Sequence, residues 1–363
     1  MMNNIEQLRK LMQENSISGL AVVPGPNMSY LTGSKFHLSE RPVVLIIEKN
    51  KSTFILPELE SAKVLGLDAD CITYDDKDGP SKAFTQFSED NNFTELGIES
   101  RTIRHLELNL LETTKISTKF VDAIDIFAHL RMSKSDKEKE CMVKAVEIAQ
   151  ESLESTIHKI KPGVTEKEFA SELVIELLRN GSESELPFSP IVASGINAAN
   201  PHHFPVDKQF EKGDLIIIDW GANYEGYFSD ITRTFALGNE IDSKLQSAYD
   251  AVKNANSAAR KLAKPGVQAG LVDDAAREII DSAGFGKYFT HRTGHGLGLE
   301  IHEEPYIKPD NDFVLKEGMT FTIEPGIYIP NLGGIRIEDD IYLEQDTALS
   351  LTTLPRDLVF LPL

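Results

Sequence analysis

Two short apolar segments of this chain carry carboxylates where a buried strand normally carries hydrophobic side chains. In DLIIIDWGANYEGYFSDITRT, Asp214 to Thr234, the run Leu215 to Ile218 reads as a strand. Asn223 to Gly226 supplies turn chemistry and Tyr227 to Phe235 reads as the returning strand. Asp219 and Asp230 then sit inside a hairpin. An unpaired carboxylate in such a place is strongly disfavoured or takes up a proton, so either cationic side chains or a metal ion must compensate both.

The same pattern occurs a second time. KGDLIIIDWG, Lys212 to Gly221, aligns with EGMTFTIEPG, Glu317 to Gly326, at an offset of 105 residues, which places Asp219 on Glu324. GYFSD, Gly226 to Asp230, aligns with GIRIE, Gly334 to Glu338, at an offset of 108, which places Asp230 on Glu338. Surface acids could align by chance in a chain with 57 of them. Four acids in two register-matched apolar hairpins are better explained by cations held between them, because clustered anions repel and drive pKa values upward.

Nitrogen is available between the hairpins. HRTGHGLGLEIHEEP, His291 to Pro305, holds His291, His295 and His302 in a chain with only nine histidines. Arg292 follows the first of them, so this is not the zincin helix motif, which needs Glu there. Leu299 stands where a dinucleotide loop would need its third glycine. The glycines at 294, 296 and 298 instead let backbone approach a crowded site. A weaker counterpart, HHFP at His202 to Pro205, lies 100 residues upstream of HEEP, and His203 within it reads as a satisfied core histidine rather than a ligand. One imidazole with four carboxylates is a hard, oxygen-rich set. It suits Mn²⁺, Co²⁺, Fe²⁺ or Zn²⁺ in a two-metal site, manganese foremost. Paired ions about 3.5–4 Å apart activate water and polarise a carbonyl, so the residues point to a dinuclear metallohydrolase.

The elements that must position these groups form two domains. From 1 to 131 the pattern is α/β: a helix over Ile5 to Gln13 and strands at Gly19 to Val23, Val43 to Ile47, Lys51 to Leu56, Ile72 to Tyr74, Glu95 to Ile98 and Lys119 to Val121. A further helix is expected near Glu58 to Leu65. Nothing there clusters His, Cys or acids at ligand spacing, so this domain reads as scaffold or oligomerisation surface. From 132 to 363, capping boxes at Ser135/Glu138 and Thr165/Glu168 open helices directed toward Ile160 and Gly181. KPGV occurs at Lys161 and again at Lys264, 103 residues on, and Gly284 repeats the helix stop at Gly181, which indicates a duplicated half-domain.

Composition narrows the partners. The formal net charge of −20 argues against nucleic acid or an anionic membrane. Two cysteines fit a reducing compartment, no run of apolar residues is long enough for a membrane helix, and the polar opening MMNNIEQLRK has no signal-peptide character, so a cytoplasmic protein is expected.

The set Asp219, Asp230, His295, Glu324 and Glu338 in that order, with HRTGHGLGLEIHE over 291 to 303, resembles the pita-bread metallopeptidases, and among them the prolidase and aminopeptidase P branch. The resemblance spans essentially the whole chain. It implies an α/β, creatinase-like N-terminal domain before an α+β pita-bread (creatinase/aminopeptidase-like) catalytic domain with internal pseudo-twofold duplication. It makes those five residues ligands of two divalent ions, with Glu324 also moving a proton to the leaving nitrogen. His202 and His302 become hydrogen-bond donors to the substrate and tetrahedral intermediate, His291 a neighbour of the site, and Arg336 a support for the ligand shell or for a substrate carboxylate. The implied substrate is a small peptide with proline second, cut between Xaa and Pro by a homodimer. Dipeptidase and aminopeptidase both remain open, although the length and compact ending after Glu338 look more like the shorter prolidases. Relatives without peptidase activity typically lose the ligands, all of which are present here, and a methionine aminopeptidase usually lacks the domain in front. The alternative from another class is a metal-dependent hydrolase or lyase of a small non-peptide compound.

Overall fold

The computed structural model describes residues 2–363, which divide into two compact units, 2–131 and Met132–Leu363. In the first, strands β1 (Gly19–Val22), β2 (Val44–Glu48), β3 (Ser52–Pro57), β4 (Asp70–Tyr74), β5 (Leu96–Ile98) and β6 (Phe120–Asp122) form one sheet in the order β4-β3-β2-β1-β5-β6. Its five helices are α1 (Met2–Glu14), α2 (Pro26–Thr32), α3 (Pro80–Asp90), α4 (His105–Thr113) and α5 (Ile124–Arg131). The central strands are buried on both faces. Leu20, Val22, Leu45 and Ile47 pack with Leu8 of α1 and Phe127 of α5. Ala21, Val44, Ile46 and Ile55 pack with Phe84 of α3 and Leu111 of α4. Alternate residues thus serve opposite layers, as the two-residue period of a strand requires. The helix expected near Glu58 is a 3₁₀ segment, Glu58–Val64, in which Leu59 is exposed and only Val64 is buried. With so little apolar surface to dock, a full α-helix there has nothing to hold it.

The second unit repeats one design. Helices α6 (Asp136–Thr156) and α7 (Glu166–Arg179) precede β7 (Ile191–Ser194), β8 (Leu215–Trp220), the short ribbon β9 (Asn223–Tyr224) and β10 (Tyr227–Phe228), and β11 (Ile231–Leu237). Helices α8 (Ser243–Leu262) and α9 (Ala269–Ser282) then precede β12 (Gly294–Gly296), β13 (Glu303–Ile307), β14 (Thr320–Ile323), the ribbon β15 (Gly326–Ile329) and β16 (Gly333–Arg336), and β17 (Asp339–Leu343). β18 (Ala348–Ser350) and β19 (Val359–Leu361) finish the sheets β13-β12-β14-β17-β18 and β19-β11-β8-β7. This is the pita-bread arrangement with its internal duplication. Both capping boxes form: Ser135 and Thr165 accept from the backbone of Glu138 and Glu168, whose side chains reach back. Both KPGV segments turn on a glycine with positive φ, 93° at Gly163 and 88° at Gly266.

The two hairpins are not identical. β8 faces β11 with Ile218 opposite Arg233, whereas in the second pair Ile323 lies opposite Asp339 rather than Ile341, the residue 108 beyond Arg233. The register has moved by two residues. An even shift leaves every side chain on its original face, so the acids still point the same way.

Strand alternation explains that direction. Ile216, Ile218 and Trp220 of β8 enter the apolar layer built by Val146, Leu153, Phe169 and Leu173 of α6 and α7, and the Trp220 indole donates to the Ala149 carbonyl at 2.8 Å. Ile217 and Asp219 must therefore face the opposite side, where Ile217 meets Ala198 of its own half-domain and Tyr328 of the other. Ile231 and Phe235 likewise take the helical side, which leaves Asp230, Thr232 and Thr234 on the inner one. The returning strand differs from expectation: β9 begins at Asn223, the turn is Glu225 and Gly226 with φ 51° and 86°, and Asp230 lies in a break between β10 and β11. Gly221 permits that break, since a Cβ there would collide with the Ser229 carbonyl. Gly221→Ala should therefore lower stability by on the order of 2 kcal/mol, read as a lower urea midpoint with an unchanged slope, and an unchanged midpoint would show that the bend is not tight.

Candidate metal centre

Asp219 near the end of β8, Asp230 just before β11, Glu324 just after β14 and Glu338 just before β17 face one another across the two hairpins, and His295, in the middle of β12, joins them. One ligand-type atom each from Asp230, His295 and Glu338 lie within 4.8 Å of one another. His295 Nε2 is 3.6 Å from Asp230 Oδ2 and 3.4 Å from Glu324 Oε1. The hairpins join directly through Thr232, whose hydroxyl donates to Glu338 Oε2 at 2.7 Å and whose carbonyl accepts from the Glu338 amide at 3.1 Å. Glycines make room for β12: a Cβ at Gly294 would meet the Thr322 carbonyl, and one at Gly296 the Glu304 carbonyl.

Among the described residues, Arg336 brings a positive charge onto a carboxylate of this cluster. Arg336, 3% exposed, donates to Asp219 Oδ2 at 2.6 Å, to the Thr232 hydroxyl at 3.0 Å and to the Tyr328 hydroxyl at 2.8 Å. It does not neutralise the group. Burial raises the Asp219 carboxyl against the pull of Arg336. Burial, then the charges of Glu338 and Asp219, push Asp230 far above the usual carboxylate range. Glu338 is raised in the same way by burial, Glu324 and Asp219. Glu324 is pushed up to about 7 by burial, opposed first by Arg336. Asp219 Oδ1 is buried and accepts no hydrogen bond. Burial and the neighbouring His302 hold His295 far below its ordinary value, so Nε2 carries a free lone pair at neutral pH while Nδ1 lies 3.1 Å from the Gly296 carbonyl. A neutral imidazole nitrogen, an unpartnered carboxylate oxygen and three further acids with too little countercharge fit hard divalent cations.

The other expected residues surround this group. His302 is exposed and lies edge-on to His295 with ring centres 4.2 Å apart. His291 reaches Tyr328 through Nε2 at 2.9 Å, and burial and Arg336 lower its pKa to about 4. His202 is exposed and lies within electrostatic reach of both His291 and His302. His203 is bound to buried Glu166 at 2.8 Å, in keeping with its reading as a satisfied histidine.

Sequence reasoning missed several participants. Asp340, fully buried, accepts from the Asp230 amide through Oδ2 at 3.1 Å while Oδ1 has no partner. Its place two residues after Glu338 was the available signal. Asp339 points the other way and is held by Arg233 and Arg356 at 2.8 and 2.7 Å. Tyr328, which joins His291 to Arg336, and Lys134, which forms a buried ion pair with Glu303, left no signal in residue spacing.

Residues 140–345 match metallopeptidase family M24, and residues 4–133 match the creatinase/prolidase N-terminal domain. The chain belongs to metallopeptidase family M24. Among its M24 relatives is the Xaa-Pro dipeptidase of Pyrococcus furiosus, 37% identical over 99% of this chain and 100% of that one. The structure superposes on the dipeptidase of Pyrococcus horikoshii OT3 with a TM-score of 0.93 and 40% identity, covering 99% and 100% of the two chains. It also superposes on the X-Pro aminopeptidase of Thermotoga maritima with a TM-score of 0.82 and 32% identity, covering 95% and 98%. Membership of M24 implies divalent metal ions. No helix among the described residues is long and apolar enough to cross a membrane.

The raised carboxyls give the metal-free protein an unusual pH response. A carboxyl whose folded pKa exceeds its unfolded value contributes stability below the unfolded pKa and loses it as pH rises through the folded one. For Glu324 that window runs from about 4.5 to about 7. Metal-free protein should therefore lose stability over that window relative to Glu324→Gln, and saturating divalent ions should remove the difference. A denaturation midpoint that rises relative to the variant would contradict the assignment.

Proposed function

We propose that this M24 protein is an Xaa-Pro dipeptidase that uses two divalent ions, manganese foremost, held by Asp219, Asp230, His295, Glu324 and Glu338. The observation that carries the reading is the convergence of buried Asp219, Asp230 and Glu338 and half-buried Glu324 from two hairpins on the neutral imidazole of His295, with Arg336 among them. Full-length similarity to a protein named an Xaa-Pro dipeptidase supports the substrate class. We further infer a homodimer acting in the cytoplasm, for which the free thiols Cys71 and Cys141 are consistent with reducing surroundings.

When bound, such ions lower the pKa of a water nucleophile and draw electron density from a carbonyl. The protein's own groups do the rest. Glu324, poised at about 7 before a cation is bound, accepts a proton from the attacking water and returns it to the departing imide nitrogen of proline. His302 and His202 donate hydrogen bonds to the charge that develops on the carbonyl oxygen. His291, neutral at physiological pH, holds the Tyr328 hydroxyl, and Tyr328 together with Asp219 fixes the Arg336 guanidinium. The proton that Glu324 returns lets the proline nitrogen leave as an amine and not as an anion, and because that nitrogen carries no hydrogen the bond cannot be recognised through an N–H.

Metal-reconstituted protein should cleave an Xaa-Pro dipeptide and leave Xaa-Pro-Yaa tripeptides intact. Preference for the tripeptide would make it an aminopeptidase, and cleavage of neither would overturn the peptidase reading. Asp230→Asn should fold normally by circular dichroism and lose metal-dependent turnover, whereas full activity would remove Asp230 from the ligand set. His302→Ala should lower kcat roughly 100-fold with metal content retained. Loss of metal in proportion to activity would place His302 among the ligands instead.

A further inference from the structure

Glu166 is the first residue of α7, far in sequence from every ligand, and its side chain is completely buried. A carboxylate in that position needs donors for each of its lone pairs, and all of them come from one stretch of chain. Oε1 accepts from the Ser194 amide and hydroxyl, both at 2.8 Å, and from the Asn197 side chain at 3.1 Å. Oε2 accepts from His203 Nε2 at 2.8 Å and from the Val206 amide at 3.3 Å. One carboxylate thus binds the segment 194–206 at its first residue, its last residue and two points between.

At its ends the segment is also held by backbone, Ser194 pairing with Ile216 of β8 and the Val206 carbonyl accepting from the Lys167 amide at 3.2 Å, but between them it has little regular structure. It contains a single 3₁₀ turn, Gly195–Ala199, and exposes Ile196, Phe204 and Val206 to solvent. A further attachment is to the metal centre's side: the Pro201 carbonyl accepts from Arg336 Nη1 at 3.4 Å, and Gly333 and Gly334 of β16 allow the carbonyls of Gly195 and Ala198 to approach closely. His202 lies between Pro201, tied to Arg336, and His203, tied to Glu166. Its own side chain is exposed, and only its backbone is anchored, by the Asn200 side chain at 3.1 Å. Where the imidazole stands is therefore decided by its two neighbours.

We propose that Glu166 is a positioning residue that sets the place of His202 at the mouth of the site by clamping both ends of segment 194–206. The inference rests on the reading of His202 as a donor to the reacting carbonyl. A charged acceptor is required because an amide, which offers one acceptor atom and two hydrogens, would present N–H to two or three of these five donors, depending on which way it is turned. The hydrogen bonds of the Glu166 carboxylate go to this segment, so Glu166 acts through geometry alone, and misplacing a donor by about an ångström lowers turnover by on the order of 100-fold.

The test uses the full-length, manganese-loaded protein and the variants Glu166→Gln, His202→Ala and their combination, assayed on an Xaa-Pro dipeptide. Glu166→Gln should lower kcat about 10- to 100-fold with KM changed much less and metal content kept, and the double variant should be no slower than His202→Ala. Equal factors for Glu166→Gln in both backgrounds, or full activity in His202→Ala, would overturn the proposal. Hydrogen exchange supplies a readout independent of turnover. Amides of 194–206 should exchange roughly tenfold faster in Glu166→Gln while β8 and β11 keep their rates. Uniform acceleration across residues 132–363, or none, would overturn it. A wild-type protein that cleaves no Xaa-Pro dipeptide would end the activity reading and, with it, the role given to His202, while a localised exchange response would still identify the clamp.

Discussion

Everything in the catalytic unit depends on burying like charges together. Asp219, Asp230, Glu338 and Asp340 are each less than a tenth exposed, and one arginine stands directly against the group. Without further cations the arrangement survives only by keeping protons on its carboxyls, as the upward shifts of Asp230, Glu338 and Asp340 describe. Replacing those protons with divalent ions converts an electrostatic liability into a centre able to activate water. Stability and function are thus in competition in the metal-free protein and in agreement when metal is present.

The scaffold meets this constraint through strand parity. On β8 the residues that pack on helices and the residue that faces the centre are adjacent, so Ile218 and Trp220 lock the orientation of Asp219 between them. The same logic places Thr232 and Thr234 of β11 where they join Glu338 and Arg336 of the other hairpin, so the two halves are stitched at the ligands themselves. Behind them, Arg233 and Arg356 hold Asp339, which fixes the chain direction on leaving Glu338. A two-residue slip between the hairpins is tolerated because it changes no face.

Much of this was legible from residue order. Acids at matched positions in two apolar runs, paired capping boxes and repeated KPGV turns each encode a local structure with a short sequence range, and the structure contains them. The break before β11 was not legible, because Gly221 matters only through the carbonyl of Ser229, eight residues later. Asp340 was hidden by sitting in an acidic triplet whose members face opposite ways. Tyr328, Lys134 and Glu166 act through contacts made across long stretches of chain, such as Lys134 with Glu303, and no periodicity marks them. At Glu58 the spacing is helical but only Val64 finds a place in the core, and residue spacing does not report what an apolar face has to pack against.

The central claim is that divalent ions occupy the space between the two hairpins. Anomalous diffraction from crystals of the manganese-loaded protein tests it directly. The account expects two peaks per chain, bounded by Asp219, Asp230, His295, Glu324 and Glu338. Peaks confined to the surface, or an anomalous map empty between these side chains at saturating manganese, would contradict it.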